Sequence, residues 1–146
     1  MTTDNLRQGG IFEARLTQYM IQNHPDKIED VSFISERSRM AAHTFETSSV
    51  AGMSVDESMH EAETTLFHGL LFSPYHLVRE VLTGDFDYSD ESPELDEFAL
   101  QMLDMVAPVL QRYDIGDDFA GSPQEMVLYD EIKDSINQYL VKNGLQ

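Results

Sequence analysis

Three tripeptides constrain this chain more than any other feature: Ser73-Pro74-Tyr75, Ser92-Pro93-Glu94 and Ser122-Pro123-Gln124. In each, a serine able to accept from an orphan backbone amide precedes a proline. Proline has no amide to satisfy, and its fixed φ suits the first position of a helix. Three helix starts are therefore predicted. Ser122 has Glu125 three residues on and Ser54 has Glu57 at the same spacing, so both pairs resemble capping boxes.

Apolar residues recur at helical spacing behind those starts and give about six helical segments. The first, near Ile11 to Asn23, directs Phe12, Leu16, Tyr19 and Met20 inward and stops at Pro25. The second, near Val31 to Val50, presents Ile34, Ala41, Phe45 and Ser48 or Ser49, with Gly52 as a left-handed stop. The third runs from Val55 to about Leu70 through Met59, Ala62, Leu66 and Phe67, and a short fourth, Pro74 to Thr83, buries Leu77, Val78 and Val81 before Gly84. The fifth starts at Pro93 and aligns Leu95, Phe98, Met102, Met105 and Val109, with a kink or break expected near Ala107 because Pro108 removes an amide. The sixth, Pro123 to Asn143, presents Met126, Tyr129, Ile132, Ile136, Tyr139 and Leu140, then Asn143-Gly144 as a stop. No run of similar length alternates with period two. The fold class expected is all-α: one compact multi-helix domain over residues 1–146 with short loops, a flexible start over 1–10 and an acidic loop over 85–92.

With 146 residues and an apolar share of 41%, the chain can close a core, so its charge does not imply disorder. That charge is −18, from 27 acidic against 9 basic residues. It sets the chain against nucleic-acid phosphates and anionic lipid, which attract basic surfaces. The excess is local. Residues 1–50 carry five basic and seven acidic residues, whereas residues 84–146 carry a net −12. Within Asp85 to Glu97 stand seven carboxylates (Asp85, Asp87, Asp90, Glu91, Glu94, Asp96 and Glu97) and no cation. Such a run faces solvent, pairs with distant Arg or Lys, or binds an ion; a solvated acidic loop is the reading favoured.

The absence of cysteine excludes disulfides, thiolate metal sites and thiol catalysis. The polar start, Met1 to Gly10, lacks a signal-like apolar region, and no stretch reaches the ~18 apolar residues of a membrane span. A cytoplasmic protein is expected.

Two stretches carry a family resemblance: Leu66-Phe67-His68-Gly69-Leu70-Leu71-Phe72-Ser73-Pro74-Tyr75, and Asp117-Asp118-Phe119-Ala120-Gly121-Ser122-Pro123 followed by Leu128-Tyr129. They resemble the domain of unknown function 1896 family, small helical proteins of Bacteroides-group bacteria, over most of the chain, from the Tyr19 helix through Tyr139-Leu140 and the Gly144-Leu145 tail. The resemblance implies a compact helical fold in a bacterial cytoplasm, often among genes of mobile elements. It supplies no activity and no catalytic residue.

The sharpest candidate for chemistry is Glu57-x-x-His60 with Glu61 and Glu63 nearby, because residues three apart share a helix face and can ligate one metal. A dinuclear helical site needs a second such motif and two further glutamates, and only one motif occurs, while Glu57 already serves as partner to Ser54. His68 follows His60 by about two turns, too far along the axis for one ion, and His68 and His76 are read as buried or half-buried histidines bonded to backbone. His76 and Glu80 have the spacing of a surface pair. Counting Asp85, Asp87, Ser89, Glu91, Pro93 and Asp96 as calcium-loop positions fails, since Asp90 stands where glycine is required and Asp96 where a long bidentate glutamate is. Asp114, Asp117 and Asp118 around Gly116 read as a connecting turn anchored by Phe119. Met53, Met59, Met102 and Met105 read as core before they read as an adaptable groove. No nucleophile elbow or phosphate loop occurs.

The functional expectation is a non-enzymatic protein-interaction module whose acidic surface (Asp85, Asp87, Asp90, Glu91, Glu94, Asp96, Glu97) meets a basic protein partner. No cofactor, no direct nucleic-acid contact and no membrane are expected, and an uncovered apolar face would make a homodimer. Two alternatives stand beside it: a DNA-mimicking inhibitor of a DNA-binding enzyme, and a metal-dependent enzyme using Glu57, His60 and Glu61.

Overall fold

The computed structural model describes residues 3–144, with side chains from residue 10 onward. Among the described residues there are seven α-helices, one 3-10 turn and no strand, so the chain is all-α. By its internal contacts the chain groups into two compact units, Met1–Gly69 and Leu70–Gln146. The boundary falls at Gly69, whose φ of 81° lies in the left-handed region that glycine enters without strain.

The first unit holds α1 (Thr3–Asn23), a 3-10 turn (Pro25–Lys27), α2 (Val31–Val50) and α3 (Val55–Leu66). Helix α1 starts earlier than the periodicity suggests, and the expected flexibility of residues 1–10 lies, for Met1, Thr2 and the side chains up to residue 9, outside the described residues. Phe12, Leu16 and Met20 are fully buried, while Tyr19 is half-buried with its ring 4.6 Å from Phe67. The buried positions of α2 and α3 are mostly small, Ser38, Ala41 and Ser48 on α2 and Ser58 and Ala62 on α3, with Ile34 and Leu66 the large side chains among them. Small residues let helix axes approach closely, and hydroxyls span the seam, Thr44 to Thr65 at 3.0 Å and Ser49 to Ser58 at 3.3 Å. Ser38 satisfies its own hydroxyl by donating to the Ile34 carbonyl. Arg37 reaches from α2 to the end of α3, donating to the carbonyls of Thr65, Leu66 and His68, where a cation also meets the negative end of the helix dipole. That contact and the left-handed Gly69 end α3 at Leu66, short of the expected Leu70.

The second unit holds α4 (Pro74–Asp85), α5 (Pro93–Met105), α6 (Ala107–Leu110) and α7 (Pro123–Lys142). Its core gathers Leu77, Val78, Val81 and Leu82 of α4, Leu95, Ala99, Met102 and Leu103 of α5, and Leu128, Ile132, Ile136 and Leu140 of α7. The expected break at Pro108 is present, since α5 ends at Met105 and α6 resumes at Ala107. Phe119 anchors the preceding turn as expected, buried beside Phe72 with ring centroids 4.9 Å apart.

Three expectations are corrected here. Met126 is 74% exposed, because the inward stripe of α7 runs through Leu128, Ile132, Ile136 and Leu140 at a spacing of four. Gly84 does not end α4 but lies inside it, where a Cβ would come within 3.1 Å of the Tyr129 hydroxyl. The helix turns instead at Asp87, whose φ of 60° is left-handed, with Tyr88 N–H bonding back to the Leu82 carbonyl in the pattern usual at helix ends. Lastly, only Ser54–Glu57 forms a reciprocal capping box. Ser122 makes no cap bond, its buried hydroxyl finds no partner among the described residues, and Glu125 accepts from Gly121 N–H instead.

Candidate functional site

The acidic run after α4 is braced from beneath by two of the few cations in the second unit. Arg79 sits on α4 one turn after Tyr75, with its side chain only 17% exposed, and its fork is divided between two carboxylates. One nitrogen donates to Asp90 at 2.9 Å and the other to Asp96; Tyr75 donates its hydroxyl to the same Asp96 oxygen at 3.3 Å. The guanidinium carbon also lies 5.7 Å from the Tyr75 ring centroid, within cation–π range. Burial alone would depress the Arg79 pKa, but the bonds from Tyr75, Asp90 and Asp96 outweigh it and raise the pKa further, so the charge is permanent.

A second brace holds the start of the run. Asp85 accepts from the Tyr129 hydroxyl and lies 3.4 Å from the Lys133 ammonium, both on α7. The Tyr129 bond, helped by Lys133, holds the Asp85 carboxyl below the usual carboxylate range. Burial and the facing Asp85 push Tyr129 up to about 12, so it stays a donor at any physiological pH. Gly84 leaves the space through which the Tyr129 hydroxyl passes. A third contact joins α7 to the segment after α6: Arg112 pairs with Glu131 at 2.6 Å and Tyr113 donates to the same carboxylate, which raises the Tyr113 pKa.

These pairings divide the seven carboxylates of the run. Asp85, Asp90 and Asp96 are tied to Lys133 and Arg79, and Glu94 accepts from Ser92, a bond that lowers its pKa. Asp87, Glu91 and Glu97 are exposed and make no ion pair among the described residues. An open cleft of about 370 Å³ lies alongside, lined by His76, Arg79, Glu80, Thr83 and Asp90. His76 and Glu80 are both exposed on its wall and do not pair with each other.

The other candidate residues are dispersed. Glu57, His60 and Glu61 are all exposed on α3, and Glu57 is occupied by the capping box. Among the described residues no three His, Asp or Glu side chains gather where they could hold a metal ion. His68 and His76 are exposed rather than buried; the buried histidine is His24, after α1, which the sequence reading does not single out. Of the four methionines singled out, Met53 is exposed, Met59 and Met105 are half-buried and Met102 is fully buried. No helix among the described residues is long and apolar enough to cross a membrane.

Sequence reasoning anticipated that the acidic run could pair with distant cations but did not name Arg79, Tyr75, Tyr129 or Lys133. A signal was present. The second unit has four basic residues, Arg79, Arg112, Lys133 and Lys142, against sixteen acidic ones, and the first three all pair with carboxylates.

Similarity to known proteins agrees with this architecture without adding an activity. The crystal structure of protein PG0816 from Porphyromonas gingivalis is similar to this chain, with a TM-score of 0.89 and 27% sequence identity, over 99% of this chain and 97% of that one. No curated protein matches the chain. A family model described as Domain of unknown function (DUF1896) matches residues 5–145, nearly the whole length, and the chain therefore belongs to the DUF1896 family.

Proposed function

We propose that the protein is a non-enzymatic interaction module whose second unit presents an ordered acidic surface to a basic protein partner. The observation carrying this reading is the bracing of the run from Asp85 to Glu97. Arg79 and Lys133 secure it from the protein side while Asp87, Glu91 and Glu97 face outward. A preorganised charged surface loses less entropy on binding than a mobile loop. The net −12 of this unit would speed encounter with a positive surface and repel phosphates.

The test is retention of partners on the immobilised full chain as salt rises from roughly 0.1 M to roughly 1 M, where the screening length falls from about 10 Å to about 3 Å. A partner held at the lower salt and released at the higher one is expected. The triple variant Asp87→Lys, Glu91→Lys, Glu97→Lys is expected to retain none. A chain that holds nothing at low salt, or holds its partner equally after the triple reversal, overturns the reading.

The same bracing favours a narrower version, in which the basic surface is the DNA-binding cleft of an enzyme and the carboxylates take the place of phosphates. Duplex DNA added in competition would then displace the retained partner. A partner indifferent to DNA removes this version and leaves the broader one.

A further inference from the structure

The turn joining α2 to α3 runs against the usual order of surfaces. Val50 is 89% exposed, Val55 is 70% exposed and Met53 is 42% exposed, with Ala51 and Gly52 also open to solvent between them. Exposed apolar residues are ordinary when scattered singly; four apolar or small residues open in succession, Val50 to Met53, with Val55 close behind, are less so. The tip is also held rigid from both sides. Gly52 has φ 96°, and the amides of Ala51, Gly52 and Met53 bond back to the carbonyls of Thr47, Ser49 and Ser48, closing α2. On the other side the reciprocal Ser54–Glu57 box opens α3, and the Ser49–Ser58 hydroxyl pair joins the helices just behind the tip.

We propose that Val50–Val55 is a preformed apolar knob that inserts into an apolar pocket with a basic rim on another protein. Charge selects this occupant. No lysine or arginine occurs between Arg39 and Arg79, whereas Glu46, Asp56, Glu57 and Glu61 flank the tip. An anionic lipid surface is repelled by that collar. A second copy of this chain brings the same collar and a further charge of −18, so tip-to-tip pairing is opposed. A pocket ringed by Lys or Arg meets both the apolar centre and the acidic edge, the arrangement usual for interface hot spots and their rims. The rigidity lowers the ordering cost of insertion.

The inference does not rest on the acidic surface of the second unit, and its test reads a different variable. A photo-crosslinking residue, p-benzoylphenylalanine, replaces Val50 or Val55 in the full chain, expressed in cells of the source organism, with Gln138 on α7 as the control position. The adduct is identified, produced as a purified protein and titrated at constant salt. A single protein adduct from both tip positions and none from the control is expected. The affinity of that protein for the Val50→Ser, Val55→Ser variant should fall at least tenfold. Both valines are exposed, so the helical circular dichroism of the variant should match the unsubstituted protein. Four results overturn the proposal: no adduct, an adduct to a second copy, an adduct equal to the control, or an unchanged affinity. Binding to vesicles of phosphatidylcholine and phosphatidylglycerol that the serines abolish overturns it as well. Reversal of Asp87, Glu91 and Glu97 tests the acidic-surface reading, so either idea can fail alone.

Discussion

The α2–α3 hairpin and the α4–α5–α7 core bury helix faces with opposite kinds of side chain. The hairpin buries mostly serine and alanine, with Ile34 and Leu66 the large side chains among them, and hydroxyls bond between the helices or back to the backbone. The second core is largely leucine, isoleucine, valine and methionine, and its polar contacts are displaced to the perimeter, where tyrosines and three cations, Arg79, Arg112 and Lys133, meet carboxylates. A small-residue seam gains stability from close approach and loses it when a side chain is enlarged. A bulky core loses it when a side chain is cut.

The largest effects should separate the two cores. Ile132→Ala or Leu128→Ala should cost about 2–5 kcal/mol by leaving a cavity, whereas the small-residue seam should respond to the reverse change, Ala62→Leu, with a loss of about 1–3 kcal/mol. Denaturant unfolding of the full chain measures both; an Ala62→Leu variant as stable as the original would break the comparison.

Arg79→Ala should come next, at about 1 kcal/mol, since its partners Asp90 and Asp96 are largely exposed and solvent screens such pairs. Its more telling readout is hydrogen exchange, where amides from Asp87 to Glu91 should lose protection while those of α3 keep theirs. Unchanged protection would mean the run is held by something other than Arg79.

Ser54→Ala should cost about 1 kcal/mol, while Ser122→Ala should change stability by less than about 0.5 kcal/mol, because the first hydroxyl caps a helix and the second is buried without a partner among the described residues. Equal losses at the two serines would contradict the geometry.

The smallest effect is a titration. Tyr129 should ionise near pH 12, and Asp85→Asn should return it towards the ordinary tyrosine value of about 10. A tyrosine whose pKa is raised by folding contributes stability that is fully present below its unfolded pKa and lost as pH rises through the folded one. Asp85 behaves in the opposite sense. Its lowered pKa gives stability above the unfolded value of about 3.9, lost as pH falls through the folded one. Ultraviolet absorbance of the phenolate follows the first and carboxyl NMR shifts the second; an unchanged Tyr129 midpoint in Asp85→Asn would remove the brace.

Much of the fold was legible because helix boundaries are local. Val31–Val50 and the starts at Val55, Pro74, Pro93 and Pro123 follow from caps, prolines and 3.6-residue spacing. Errors arose where a distant residue decided the outcome. Gly84 reads as a helix stop until Tyr129 is placed against it, and Met126 belongs to a periodic set until the face of α7 that meets α4 is known. The acidic run was legible as composition, but its braces were not, since Arg79 and Asp96 are separated along the chain and meet only when α4 packs on α5. Likewise Ser54–Glu57 and Ser122–Glu125 have one spacing and two outcomes, because the reach of Glu125 to Gly121 depends on how the preceding turn folds.

By itself, then, the sequence determined an all-α chain, the places where its helices begin, the break at Pro108 and the concentration of negative charge after residue 83. These follow from backbone sterics, caps and counting, none of which needs a distant neighbour. Only the tertiary structure decided the division into two units, which carboxylates are held and which are offered, and the exposure of the apolar tip at Val50–Val55. Those depend on which faces of the helices meet, and that is fixed by packing between residues far apart in the chain.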